Sequence, residues 1–384
     1  MARDEALRRR PLMRRVIAAF GCLLVESREV LRLELILYRD AAGFVVLRDS
    51  WNDLLCRSRC DTIFLTWEWQ TTWWRHIGAR LGDLYLLAAR LDGRLVGILP
   101  LYLTHEATGR TLQVVGCIEV SDYLDLIVEA GEEDAVYEAF LAWLAGPDAP
   151  AWDLLDLCNQ LAGSLAHVRL PEMARGLGWQ ADVVQEDVCP VIDLPGDGAD
   201  GGADGGADGW EAYLACLDKK QRHEIRRKLR RIEREAPDAR VHLIGDGDDL
   251  DAALDRFIAL HRLSSPDKDA FMTAEMQEFF HAIARVMADK GWLYLAFLEI
   301  AGQAVASYFC FDYGDEILVY NSGYDPESNA QLSPGWVLLS RLIQCAIARG
   351  RKRFDFLQGD EDYKHRFGGV DTLVYRTLIR RITN

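Results

Sequence analysis

LYLLAARLDGRLVGILPLYL (Leu84–Leu103) has a counterpart in the second half of the chain, LYLAFLEIAGQAVASYFCFD (Leu293–Asp312), which repeats its plan. Both open on Leu-Tyr-Leu, Gly93 falls on Gly302, and Val96 falls on Val305. Each is an alternating apolar run, an Asp-Gly or Ala-Gly tight turn, and a second apolar run, which spells a β-hairpin. Further along, AWDLLDLCN (Ala151–Asn159) parallels RFDFLQG (Arg353–Gly359), and a segment of helical period precedes each. The order hairpin, strand, helix, strand thus occurs twice, which predicts a duplicated α/β unit.

The chain of 384 residues has room for two or three domains. The boundaries expected are a basic extension over 1–40, a first unit over 41–186, an inter-unit strand and loop over 187–209, and a second unit over 210–384. The join contains LPGDGADGGADGGADGW (Leu194–Trp210), in which Gly196, Gly198 and Gly201 satisfy G-x-G-x-x-G. A strand-like CPVIDLP precedes it and a helix-like WEAYLACL follows, the context of a dinucleotide fingerprint. A phosphate cradle, however, needs bare N–H groups and positive potential. Asp197, Asp200, Asp204 and Asp208, with no cation among them, would repel a pyrophosphate. The repeat therefore reads as a flexible low-complexity loop.

A net charge of −16 disfavours bulk attraction to nucleic acid or anionic lipid, so such a contact needs a local basic patch. One exists in CLDKKQRHEIRRKLRRIERE (Cys216–Glu235), where Leu217, Ile225, Leu229 and Ile232 line one stripe of a helix studded with Lys and Arg. That helix is either a solvated face packed on a sheet or a surface for an anion. Residues 1–40 carry nine Arg against six Asp and Glu, and the apolar run Val16–Val25 is too short to span a bilayer. The segment is either a basic amphipathic helix on a membrane surface, a helix packed on the domain, or a loose extension. Nine scattered cysteines without a C-x-x-C suit free thiols in a reducing cytoplasm. The histidines lack regular metal spacing, so no structural metal is expected. Trp67, Trp69, Trp73 and Trp74 fall at helical spacing and are assigned to the core.

Two polar stretches in the second half stand out. Ser333 is an N-cap candidate, Pro334 suits the first helical position, and Gly350 suits the helix end. The strand EILVYNSGY thus feeds a helix whose first turn contains Gly335, a favourable place for an anion. After the strand RFDFLQG comes DEDYKHRFGG (Asp360–Gly369), dense in charge and turning on two glycines. This stretch is either a solvated loop or a place where cations beside carboxylates polarise a carbonyl and move a proton.

Together, GYDPE, LSPGWVLL, FDFLQGDEDYK and the Tyr-Lys-x-x-Phe-Gly element resemble the GNAT acyltransferase superfamily. More narrowly, the chain resembles tandem-GNAT proteins of the CelD/BcsL-like acetyltransferase family, relatives of the FemABX peptidyltransferases. FLTWEWQTTWWRH, GRLVGILPLYL and SDYLDLIV in the first half fit the same pattern, and the likeness runs over roughly residues 45–380. It implies an α/β fold of two GNAT-like units, each a mixed sheet flanked by helices. It also implies transfer from acetyl- or acyl-CoA to an amine or hydroxyl, on a small-molecule or glycan-precursor acceptor of envelope or exopolysaccharide metabolism. The FemABX branch implies aminoacyl-tRNA as donor instead. A protein from another class, a binding module for an anionic ligand, is the third alternative.

The family's lysine falls on Lys364, expected to stabilise negative charge, with Tyr363 and Asp360 as flanking acid and base and Tyr324 as a second acid. Ser333 and Gly335 are expected to offer N–H groups to the CoA pyrophosphate, with Arg366 and Gly368 as further cofactor contacts. Asp122 and Tyr123 are the acceptor candidates in the first half. The family signature Q/R-x-x-G-x-G/A is altered here, since Gln331-Leu-Ser-Pro-Gly335-Trp has one extra residue and no second small one. The implied setting is the cytoplasm, with contact at the inner membrane face through residues 1–40 as an added reading.

Overall fold

The structure, a computed structural model, describes residues 14–16, 32–107, 109–117, 120–196 and 205–381. It divides into two compact units, one reaching to Glu186 and including Leu373 onward, the other spanning Asp187–Thr372.

The first unit contains β1 (Arg14–Val16), β2 (Leu33–Tyr38), α1 (Ala42–Arg57), α2 (Trp67–Trp73), α3 (Ala79–Leu81), β3 (Asp83–Leu91), β4 (Arg94–Glu106), β5 (Gly109–Val114) and β6 (Ile127–Val128). Then come α4 (Glu133–Ala145), β7 (Leu154–Leu161), α5 (Ala166–Gly176) and the start of β8 (Gln180–Asp193). Its sheet runs β1-β2-β3-β4-β5-β7-β14, where β14 is Val370–Arg380. The β3–β4 turn places Asp92 at φ 48° and Gly93 at φ 85°, as a tight primed turn demands.

The second unit contains the rest of β8, α6 (Gly205–Cys216), α7 (Lys219–Glu235), β9 (Arg240–Leu243), α8 (Leu250–Ser264), α9 (Pro266–Phe271) and α10 (Ala274–Asp289). It continues with β10 (Leu293–Ile300), β11 (Gln303–Tyr313), β12 (Glu316–Tyr324), α11 (Pro334–Ala348), β13 (Arg353–Asp355) and α12 (Asp362–Arg366). Its sheet order is β8-β13-β12-β11-β10-β9. Here Ala301 and Gly302, at φ 51° and 75°, form the matching turn. The repeated plan holds at the level of pairing. β3–β4, β4–β5, β10–β11 and β11–β12 are antiparallel, while β5–β7 and β12–β13 are parallel. Each parallel pair needs a crossover helix, supplied by α4 and α11.

Strand alternation sorts the second unit's core. Tyr294, Ala296, Leu298, Tyr308 and Cys310 face a cluster completed by α6, α7 and α11. Phe297 and Phe309 point the other way, and Phe309 packs on Phe257 of α8 and Phe280 of α10 at ring distances of 5.3 and 5.6 Å. The stripe Leu217, Ile225, Leu229 and Ile232 is buried as its spacing requires. In the first unit Trp69, Trp73 and Trp74 are core residues. Trp67 is partly exposed, and its indole donates to the Phe44 carbonyl at 2.8 Å.

Several sequence expectations need correction. Residues 33–38 form a strand paired with β3 and belong to the first unit rather than to an extension. Most of the proposed N-terminal helix lies outside the described residues. The last strand leaves the second unit from Leu373, because Arg376 forms a bidentate pair with buried Asp156 at 2.8 and 2.6 Å and Thr377 donates to Gln160 at 2.6 Å. Residues 205–209 are helical, since α6 begins before Trp210 and Gly209 lies close against Ile347. The flexible-loop assignment for 197–204 falls outside the described residues. Cys117 and Cys158 form a disulfide rather than two free thiols.

Candidate functional site

The second unit opens a cleft of about 540 Å³ where β12 and β13 part company. Those parallel strands pair only over Glu316–Leu318 and Arg353–Asp355, although β12 continues to Tyr324. The far end of β12, which carries Ser322 and Tyr324, therefore borders open space, and the first turn of α11 closes the other side. Crevices at the carboxyl ends of strands are where α/β folds place ligands. The lining includes Ser333, Gly335, Trp336, Tyr324, Tyr363 and Glu361, together with Lys228, Lys268 and Tyr308.

The α11 terminus is built differently from expectation. Ser333 occupies the N-cap position in the left-handed region, φ 54° and ψ 57°, and its side chain caps nothing. Pro334 has no N–H, so the donors presented by the first turn are those of Gly335 and Trp336. A Cβ placed on Gly335 would meet nothing within 4 Å, so this glycine leaves a bare surface. The Trp336 ring carries the Lys228 ammonium 3.9 Å from its centroid. Burial pushes that ammonium down, its pairing with Glu224 at 3.3 Å opposes the shift, and Arg227 and Arg366 add repulsion.

The charged stretch after β13 serves first to shape the chain. Buried Asp355 accepts from the Leu357 N–H at 2.7 Å, and Leu357 turns at φ 56°. The Lys364 ammonium, buried on α12, donates to the carbonyls of Leu357, Gln358 and Gly359 at 3.2, 2.6 and 3.0 Å and pairs with Glu361 at 2.8 Å. Gly359, at φ 112°, is required here, because a Cβ would stand 2.5 Å from the Glu361 carboxylate and 3.1 Å from Lys364 Nζ. Lys364 thus holds the loop from inside and does not line the cleft.

The other predicted residues separate into two sets. Tyr363 lines the cleft, packs edge-on to Phe356, and has its phenol pushed well up by burial. Tyr324 lines it too and is the more exposed phenol. Asp360 instead pairs with His365 at 2.8 Å outside the cleft, and Arg366 pairs with Asp362 along α12. Gly368, at φ 88°, backs onto Leu217. Asp360, His365 and Asp371 each bring one ligand atom within 4.8 Å of the others, a grouping that sequence spacing does not reveal. In the first unit, Tyr123 is buried edge-on to Phe64, and Ser121 accepts from the Trp69 indole at 2.8 Å. Asp125 is buried as well, and burial pushes its carboxyl up to about 6. Tyr123, Ser121 and Asp125 therefore pack inward, and Asp122 beside them is partly exposed.

Lys268, Tyr308 and Trp336 escape sequence reasoning, and Lys228 and Glu361 stand in stretches it marks without being singled out. Lys228 sits unmarked among nine basic residues of α7, and Lys268 lies on a two-turn helix with no motif. Beneath Lys268, buried His261 meets Asn321 at 3.1 Å. Burial, and secondarily Lys268, pushes His261 down to about 4. The folded form therefore favours neutral imidazole, and stability present above about pH 6.5 is lost as pH falls toward 4. A difference of about 2 kcal/mol in this window is expected between wild type and His261→Gln, read from denaturant unfolding at pH 7 and pH 4.5. Asp125 acts in the opposite sense below pH 6, so the comparison with the variant is the decisive readout.

A protein-family model described as an acetyltransferase (GNAT) domain matches residues 219–365, the segment that builds this cleft. The crystal structure of FemX superposes with a TM-score of 0.59 at 10% identity, over 85% of this chain and 95% of that one. A conserved protein of unknown function from Bacteroides thetaiotaomicron gives 0.57 at 12% identity, over 90% and 99%. L-PGS from Bacillus licheniformis gives 0.51 at 13% identity, over 90% and 93%. No curated protein matches the chain by sequence. The fold is thus of the GNAT type, an α/β architecture of mixed sheets flanked by helices and related to that of FemX. Among the described residues no helix is long and apolar enough to cross a membrane.

Proposed function

We propose that the second unit transfers an acyl group from acetyl- or acyl-CoA to an amine or hydroxyl acceptor. The observation that carries this is the cleft opening onto the bare first turn of α11 at Gly335, inside the segment that matches the GNAT domain. Backbone N–H groups of Gly335 and Trp336 would hold the pyrophosphate at the positive end of the helix dipole, with Lys228 beside them.

The unprotonated acceptor attacks the thioester carbonyl, a C–N or C–O bond forms, and the C–S bond breaks as the tetrahedral intermediate collapses. Glu361 takes the acceptor's proton directly or through water, and Tyr324 returns one to the leaving thiolate. Lys364 positions Glu361 and the loop rather than touching the carbonyl. Tyr324→Phe is expected to lower kcat by about 10²-fold with little change in KM for the donor, measured by thiol release. An unchanged kcat removes Tyr324 from the mechanism. Saturable acetyl-CoA binding by calorimetry tests the donor assignment itself.

A CelD/BcsL-like role in envelope or exopolysaccharide chemistry, with the acceptor in the cytoplasm where acyl-CoA is available, completes this proposal. One observation favours a second donor. Helix α7 places Lys228 at the cleft and carries exposed Arg227, Arg230 and Arg234 along the same helix, a surface suited to the backbone of an aminoacyl-tRNA. Binding of bulk aminoacyl-tRNA with no response to acyl-CoA would decide for it.

A further inference from the structure

On the β12 side of the cleft stands Lys268, a cation whose hydrogen-bond partners are neutral oxygens. Its ammonium donates to the Ser322 carbonyl at 2.5 Å and to the Ser322 hydroxyl at 3.4 Å. Among the described residues no carboxylate forms an ion pair with it, and Glu361, across the lining, pairs with Lys364 at 2.8 Å instead.

The corner that presents this lysine is firmly built. Ser265 caps α9 by accepting from the Lys268 N–H, and Arg262 pairs with Asp269 at 2.5 Å. Ser264 ties α8 to the end of β12, its hydroxyl accepting from the Tyr324 N–H at 2.9 Å and donating to the Tyr324 carbonyl at 3.3 Å. Gly323 lies so close to the His261 backbone that a Cβ would stand 2.4 Å away. His261 beneath favours its neutral form, so it offers no competing charge at neutral pH, and burial lowers the Lys268 ammonium itself, with the Glu361 carboxylate opposing the shift. A partly buried ammonium whose hydrogen bonds all go to neutral oxygens, with its nearest carboxylate already paired elsewhere, gains from an incoming anion.

Resting on the acyltransferase reading above, we propose that the acceptor carries an anionic group, a carboxylate or a phosphate, seated on Lys268 Nζ and the Ser322 hydroxyl beside Tyr324. Lys268 then sets substrate specificity, and the cleft acylates acidic small molecules in preference to their neutral analogues. The donor's pyrophosphate occupies different elements, the α11 terminus and Lys228 of α7.

Calorimetric titration of the full chain with succinate and, separately, with inorganic phosphate tests this, with succinamide as the uncharged control and with and without saturating free CoA. At least one anion is expected to bind. Lys268→Gln is expected to weaken it about tenfold or more, while Lys268→Arg stays within about threefold of wild type. CoA is expected not to displace it. Response to succinate alone means a carboxylate acceptor, and response to phosphate alone means a phosphorylated one. The proposal is overturned if neither anion binds, if Lys268→Gln binds as wild type does, or if CoA competes. Should Lys268→Gln fail to fold, Ser322→Ala decides: a loss of affinity of about threefold or more supports the site, and none refutes it. The titration without CoA stands even if acyl-CoA proves not to bind, which separates failure of this proposal from failure of the donor assignment.

Discussion

Gly335→Glu is expected to weaken CoA binding by about a hundredfold, whereas Gly335→Ala stays within a factor of about three. The space around Gly335 is open, so neither side chain clashes. A carboxylate in the first turn even favours the helix dipole, so the unliganded variant should melt no lower than wild type. The same carboxylate stands where the pyrophosphate would sit and repels it. At a CoA concentration of about 100 Kd the wild type gains about 2.7 kcal/mol, and the Glu variant should gain only about 0.4 kcal/mol. Thermal melts with and without CoA read both quantities at once. Equal shifts in the two proteins would remove the donor from the α11 terminus.

Lys364→Ala should act on stability before it acts on chemistry. The substitution strips three carbonyls and Glu361 of their shared partner inside the protein. A loss of about 3 kcal/mol is expected, which lowers Tm by roughly 6–12 °C for a unit of this size. Lys364→Met fills the same volume without the charge and should not rescue it. Calorimetric melting of both variants beside thiol-release kinetics makes the distinction. Unaltered melting with a large fall in kcat would instead mean that this ammonium serves the reacting carbonyl, and the loop-holding role would be wrong.

The contrast between Lys364 and Lys268 shows what a sequence can carry. Tyr363-Lys364 lies in a motif, and a motif marks a residue that the fold needs without saying whether the need is structural or chemical. Lys268 lies in no pattern because its neighbours in the cleft, Ser322 and Glu361, come from distant parts of the chain. Residue order puts Ser333 and Gly335 at the head of α11, where they lie, but the left-handed conformation of Ser333 depends on the turn before it, Ala330–Leu332. Asp122 and Tyr123 are acceptor candidates because SDYLD occupies, in the first half, the place of the corresponding loop in the second. Leu124 and Leu126, interleaved with those polar residues, are buried and draw the segment inward.

The repeated hairpins, the crossover helices and the buried stripe of α7 are legible in residue order, because periodicity and turn residues act over a few positions and recur in both halves. Which unit owns the last strand, which lysine is enclosed by carbonyls and which faces the cleft become visible only once the chain is folded. Those outcomes depend on hydrogen bonds and burial between segments far apart in the chain, such as Arg376 with Asp156 and Lys268 with Ser322.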